Sequence, residues 1–274
     1  MINLLKKKSN QIVNIIINYF KNTCFYAIFL IKPLDKKTWR LKNYTTSHFD
    51  KGGDYHERFD IFPGRKIIWN IEKKILDNFL RIMNQVDHLD FAGGTGRISN
   101  YIHHKCKKRY LIDASEKMIT EAKKNLNGVT FINDDFTKIQ GFNEKFDLIT
   151  AFRFFPNAEP HLRVEAMNFI ANHLKKDGYL IFNNHKNFWS IPFIFKRLTF
   201  RSNGFGMTHK EIEKILIKYD LKIVEYHSCG LLFEAEKGKL IPWKFLEKFE
   251  HIFYESLYGS KLGFNTLYLI KKND

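Results

Sequence analysis

Cysteine is scarce in this chain and nowhere paired: Cys24, Cys106 and Cys229 lie far apart, and no two of them form a CxxC. That spacing argues against a zinc framework or a disulfide scaffold and fits a reducing, cytoplasmic setting with no metal site. An uninterrupted apolar run of membrane length is missing as well. Gln11 to Ile31 is largely apolar, but Lys21 stands at its centre and Asn14, Asn18 and Asn22 recur every fourth residue. The result is a narrow polar stripe on one helical face. The segment lacks the small-residue cleavage site of a signal peptide, and Lys21 is out of place in a true span. Lysines flank it on both sides, so residues 1–32 read either as a helix in peripheral contact with an anionic membrane surface or as a helix packed on protein. There is no internal repeat.

What is present is the balance of a folded protein. In 274 residues, 44% are hydrophobic and 27% charged, enough for one principal domain with sequence left for appendages. We divide the chain into a basic amphipathic helix and linker, 1–47, and a domain, 48–274. The net charge of +16 would ordinarily point to nucleic acid. Yet residues 1–49 hold nine basic side chains against Asp35 alone, so +8 of that excess belongs to the appendage. The rest is diffuse, a weaker sign than a clustered basic face, and nucleic acid is disfavoured as a partner.

Periodicity predicts an α/β fold. A helix is expected from about Arg65 to Met83, with Ile67, Ile71, Ile75 and Phe79 on one face. Short apolar runs at Val86–Phe91, Arg109–Ile112, Val129–Ile132, Phe146–Ala151 and Tyr179–Asn183 then alternate with helical patterns at 97–104, 116–126 and 161–174. This alternation implies a mostly parallel sheet covered on both faces. A helix capped by Thr208, a strand at 221–227, an insertion at about 230–261 and a last strand at 264–270 complete the chain.

The chemistry gathers at the strand ends. The first strand runs into Asp90-Phe91-Ala92-Gly93-Gly94-Thr95-Gly96 with a helix directly after it, a cradle in which small residues admit a ligand to the backbone. Ser99 stands where the dinucleotide fingerprint needs Gly or Ala, a departure from the nicotinamide pattern. Asp113 closes the second strand, placed to accept from ribose hydroxyls. Asp134-Asp135-Phe136 closes the third, where a carboxylate can accept from an exocyclic amine while the ring packs near a base.

With His88–Arg97, Asp113-Ala114-Ser115-Glu116-Lys117-Met118, Asn133–Phe136, Phe146–Thr150 and Leu174–Phe182 in view, the sequence resembles the class I methyltransferases, in particular the type 11 domain. Ala92 departs from that family's usual first glycine. The resemblance implies a Rossmann-like, seven-stranded, mostly parallel sheet with an antiparallel last strand, and S-adenosyl-L-methionine as cofactor. It also implies that Asp90, Ala92, Gly93, Gly94 and Gly96 hold the methionine end, Asp113 the ribose and Asp135 with Phe136 the adenine, with Ala114 and Met118 also at the cofactor. Lids are expected at about 48–64 and 186–207, and Arg65 is a candidate partner for the methionine carboxylate or a solvated arginine at a helix start.

On the acceptor side, His185 after the fifth strand is the candidate general base, or a histidine that satisfies a backbone carbonyl. Arg153 is the candidate clamp for an anionic group, or a partner of Glu159. No Asn-Pro-Pro-Tyr follows the fourth strand and no Pro-Cys pair exists, so nucleobases are disfavoured acceptors. The leading expectation is methyl transfer to a small molecule, with a glycan or lipid-linked intermediate in mind. The alternatives are an RNA methyltransferase, a non-catalytic nucleotide-binding module, and a nicotinamide-dependent oxidoreductase.

Overall fold

The computed structural model describes residues 63–190, 192–194, 206–231, 243–256 and 262–272. The expected N-terminal helix and its linker, nearly all of the first lid, and parts of the second lid and the insertion lie outside the described residues.

In chain order the elements are α1 (Pro63–Leu80), β1 (Val86–Phe91), α2 (Arg97–Tyr101), β2 (Cys106–Ile112), α3 (Glu116–Asn125), β3 (Thr130–Ile132), β4 (Phe146–Ala151), α4 (Pro160–His173), β5 (Leu174–Asn184), α5 (His209–Ile217), β6 (Leu221–Cys229), α6 (Trp243–Ser256) and β7 (Asn265–Lys272). The seven strands make one sheet in the order β3-β2-β1-β4-β5-β7-β6. Strands β1 to β5 pair in parallel, and β7 runs antiparallel to both β5 and β6. The expected Rossmann-like α/β fold, with its reversed last strand, is what forms.

Alternation along the strands builds two cores. Leu89, Phe91, Ile149, Leu180, Phe182, Tyr268 and Ile270 point to one face and pack with α4 and α5. Leu148, Ile181, Leu267 and Leu269, one residue out of step, point to the other and pack with Ile71, Ile75 and Phe79 of α1. Each such side chain contributes about 1.5–3 kcal/mol relative to exposure, so the period fixes which residues face which layer. Helix α5 starts at the expected cap: the Thr208 hydroxyl accepts from the Glu211 N–H at 3.1 Å, and the Glu211 carboxylate accepts from the Thr208 N–H at 2.6 Å, a reciprocal box that satisfies two donors at once.

Four elements differ from expectation. Strand β5 begins at Leu174 rather than Tyr179. Lys175 reads as loop in sequence, but its Nζ reaches Asp87 at 2.8 Å and Asp147 at 2.9 Å, tying the start of β5 to β1 and β4. These contacts hold Asp87 below its ordinary pKa and lift that of Lys175. Strand β2 likewise starts early, at Cys106, and the expected helix 97–104 is shorter, ending at Tyr101 before a 3-10 turn at His103–Lys105. The insertion at 230–261 contains α6, which packs on α1 and β6.

Candidate functional site

The site is built on the turn after β1. Ala92, Gly94 and Gly96 all adopt left-handed backbone, with φ of 51°, 57° and 79°. The turn is pinned by Gly93 N–H donating to the Ile112 carbonyl at 3.1 Å and Gly96 N–H to the Gly93 carbonyl at 3.0 Å. The two left-handed glycines serve different ends. A Cβ on Gly96 would lie 2.3 Å from Leu126 Cδ1, so this glycine lets α2 pack close to the end of α3. A Cβ on Gly94 would meet only Met118 Sδ, at 3.9 Å, leaving its face open to a ligand. Ala92, where the resembled family has glycine, carries a left-handed strain of about 1–2 kcal/mol.

The strand-end acids converge on this turn. Asp113 accepts from the N–H groups of Gly94 and Ser115, both at 2.9 Å. Burial raises its pKa, and those two donors oppose the rise. Asp90, 1% exposed, accepts from the Thr150 hydroxyl at 2.8 Å and the Ser99 N–H at 3.1 Å. Burial pushes it up to about 6 against the pull of Thr150, Ser99 and Arg97. Asp135 accepts from the N–H of Thr137 at 3.0 Å and from its hydroxyl at 2.8 Å. Phe136 packs edge-on against Phe91 at 5.0 Å and Phe154 at 5.9 Å, so it is wall and core together.

Between these residues lies a cleft of about 330 Å³. It is lined by the expected Asp90, Ala92, Gly93, Gly94, Asp113, Ala114, Met118, Asp135, Phe136 and Arg153, and also by Thr95, Arg97, Glu159, Leu162 and Glu165, to which the sequence points less directly. Arg97 is held by Glu72 at 3.2 Å and lies over the Trp69 ring at 4.0 Å. The one available signal was the pairing of Trp69 and Glu72 one turn apart on α1, which places them on a common face.

Arg65, Gly96 and His185 do not line the cleft. His185, 9% exposed, stands just past β5 with Nε2 3.5 Å from Asn157 Nδ2. Arg153 has left-handed backbone with φ of 62°. Its N–H donates to Asn183 Oδ1 at 2.6 Å, and its carbonyl accepts from Asn157 Nδ2 at 2.6 Å. Glu159, the alternative partner weighed for Arg153, meets His161 at 3.4 Å.

The residues present fit S-adenosyl-L-methionine. Gly94 offers an open backbone face, and Asp113 and Asp135 occupy neighbouring strand ends. The lining carries six carboxylates against Arg97 and Arg153, a sign opposite to that of the whole chain and suited to a cationic sulfonium. Among the described residues no cluster of His, Cys, Asp or Glu could hold a metal ion.

Comparison with known proteins agrees with this geometry. Residues 89–178 match a family model described as a methyltransferase domain. A protein of Anoxybacillus flavithermus described as an uncharacterized methyltransferase is 27% identical over 142 residues, 52% of this chain; the match spans 63% of that relative's length. Among solved structures, a possible histamine N-methyltransferase from Thermotoga maritima shares the fold at a TM-score of 0.59 and 16% identity, over 86% of this chain and all (100%) of that one. The N-methyltransferase NodS from Bradyrhizobium japonicum, in complex with S-adenosyl-l-homocysteine, gives 0.53 and 17%, over 79% and 90%. The glycine turn, the strand-end acids and the sheet order agree with the methyltransferase domain matched over residues 89–178 and with the fold shared by these solved structures.

Proposed function

We propose that the chain transfers a methyl group from S-adenosyl-L-methionine to a small-molecule acceptor, with a glycan or lipid-linked intermediate as the class to screen first. The observation that carries the small-molecule reading is the sign of the cleft. Six lining carboxylates face two arginines in a chain of net charge +16, and a polyanionic acceptor such as RNA would be repelled where it must enter.

The cofactor supplies an electrophilic methyl on a sulfonium, open to in-line displacement. The protein's part is placement, and effective molarities of about 10⁵ M or more are available from good geometry alone. Gly94 and Asp113 are proposed to hold the methionine and ribose portions, Asp135 and Phe136 the adenine, and Arg97 the methionine carboxylate in the place first considered for Arg65. Phe152, Arg153 and Phe154 then form the wall nearest the acceptor. For a hydroxyl acceptor the proposed base is His185, which stands outside the cleft lining and would have to meet the acceptor directly, beside Asn157. An amine acceptor needs no base at neutral pH if it binds uncharged.

No described helix is long and apolar enough to cross a membrane. Peripheral contact of residues 1–32 with anionic lipid is part of the proposal, and its test is co-sedimentation with anionic vesicles before and after removal of residues 1–32. The test of the central reading is thermal unfolding with S-adenosylhomocysteine beside NADH. A ligand at 100 times its Kd adds about 2.7 kcal/mol. A raised midpoint with S-adenosylhomocysteine alone supports transfer; a rise with NADH alone, or with neither, overturns it.

A further inference from the structure

Beneath the cleft runs a chain of three buried side chains. His88, two residues before Asp90 on β1, is 0% exposed, as is Thr150 on β4. His88 Nε2 lies 2.8 Å from Thr150 Oγ1, and Thr150 Oγ1 lies 2.8 Å from Asp90 Oδ1. His88 Nδ1, also buried, has no hydrogen-bond partner. Only Asp90 of the three lines the cleft.

The proton count of this chain decides its polarity. Two hydrogen bonds hold two protons. With Asp90 ionised and His88 neutral, the chain has two: the Thr150 hydroxyl donates to Asp90 and the His88 Nε2–H donates to Thr150, leaving a bare lone pair at Nδ1. With Asp90 protonated, the chain has three. One N–H or O–H is then buried without an acceptor, at a cost of about 1–3 kcal/mol. An Nε2–H donor behind Thr150 also polarises the hydroxyl toward the carboxylate, since bonds in series strengthen one another in a low-dielectric interior.

We propose that His88 is a positioning residue for the cofactor site: acting through Thr150, it holds Asp90 as an oriented carboxylate, so that cofactor affinity depends on a histidine that never touches the ligand. The inference rests on the methyltransferase reading of the cleft. Burial works in the opposite direction, pushing Asp90 up to about 6, while burial first and the charge of Arg109 second push His88 down to about 3 and keep it neutral. The other groups facing Asp90 are Arg97 and the Ser99 N–H from α2, Cys106 at the start of β2 and Asp113 just past its end. Asp90 therefore sits near the middle of its titration at mildly acid pH, where the donor behind Thr150 can tip it.

The experiment is S-adenosylhomocysteine binding to the full chain by calorimetry between about pH 5 and pH 8, where a raised carboxylate titrates. Wild type should bind more weakly as pH falls, with an inflection near 6. Thr150→Val and His88→Leu should move that inflection upward, weakening binding several-fold near neutral pH. Thr150→Ser and His88→Gln, which keep a hydroxyl and a neutral donor, should restore it. Nitrogen shifts of the His88 ring in wild type should report the Nε2–H tautomer. Profiles that coincide in wild type, Thr150→Val and His88→Leu, or an unchanged inflection in Asp90→Asn, would overturn the relay. Absence of binding at every pH in wild type would instead overturn the methyltransferase reading. A merely structural His88 would lower the unfolding midpoint without moving the pH profile.

Discussion

Glu72 and Asn265, 193 residues apart in the chain, meet at 2.7 Å between Oε1 and Nδ2 in the interior. The other oxygen of Glu72 takes Arg97 at 3.2 Å. Asn265 Oδ1 accepts from Asn183 Nδ2 at 2.9 Å, and Asn183 Oδ1 accepts from the Arg153 N–H at 2.6 Å. A line of polar side chains thus joins α1, β7, β5 and the wall after β4, with both cleft-lining arginines among its contacts. Such groups are costly to bury singly and tolerable when all are partnered.

Removing the acid should expose that cost. Glu72→Ala leaves the Arg97 charge without its carboxylate and Asn265 without an acceptor, and a loss of about 3–5 kcal/mol is expected by urea unfolding. Glu72→Gln should lose less. If both variants unfold within about 0.5 kcal/mol of wild type, typical of an inert surface change, the line is not structural.

The two left-handed glycines should separate folding from binding. Gly96→Ala forces a Cβ to 2.3 Å from Leu126 and should destabilise the whole domain. Gly94→Ala has room within the protein but strain of about 1–2 kcal/mol, so its stability should fall modestly while S-adenosylhomocysteine affinity falls much further. Equal effects of the two on affinity, once corrected for the folded fraction, would contradict the view that Gly94 faces the ligand.

Asp113→Ala should weaken S-adenosylhomocysteine binding by roughly tenfold to a hundredfold, since a hydrogen bond to a charged group contributes about 1.5–3 kcal/mol, with the fold retained by circular dichroism. Asp113→Asn should lie between, because its amide oxygen can still take the Gly94 N–H. Unchanged affinity in the alanine variant would remove Asp113 from the site.

Stability against pH offers a check independent of any ligand. His88 stays neutral when folded down to about pH 3, whereas unfolded it protonates near 6.5. Its contribution is therefore full above pH 6.5 and lost as pH falls. Asp90 acts in reverse: raised from 3.8 to about 6, it takes up a proton in the folded state first and adds stability as pH falls from 6 toward 4. The two oppose each other in wild type. His88→Gln removes one side, so its stability relative to wild type should rise between about pH 7 and pH 4.5. Parallel curves for the two proteins would mean that His88 is not the neutral buried group inferred.

Much of this was legible in the sequence, for stated reasons. Strands β1, β3 and β4 and the core face of α1 follow from apolar periodicity, because burial selects residues at the period of the element. Thr208 and Glu211 announce α5 three residues apart. The glycine turn and the acids Asp90, Asp113 and Asp135 are local in sequence and adjacent in the fold, because parallel strands deliver their ends to one edge. What was not legible is whatever depends on partners far along the chain: the early start of β5 through Lys175, helix α6 inside the insertion, and Arg97 as a cleft residue held by Glu72.

The sequence by itself therefore determined the fold class and the cofactor edge, since both are written in short repeating patterns and contiguous motifs. Only the tertiary structure decided that Arg65 and His185 stand outside the cleft lining, that Arg97 stands within it, and that His88 lies behind Asp90. Those relations are set by packing between segments up to 193 residues apart, and buried polar groups take whichever partner the completed sheet brings within hydrogen-bond reach.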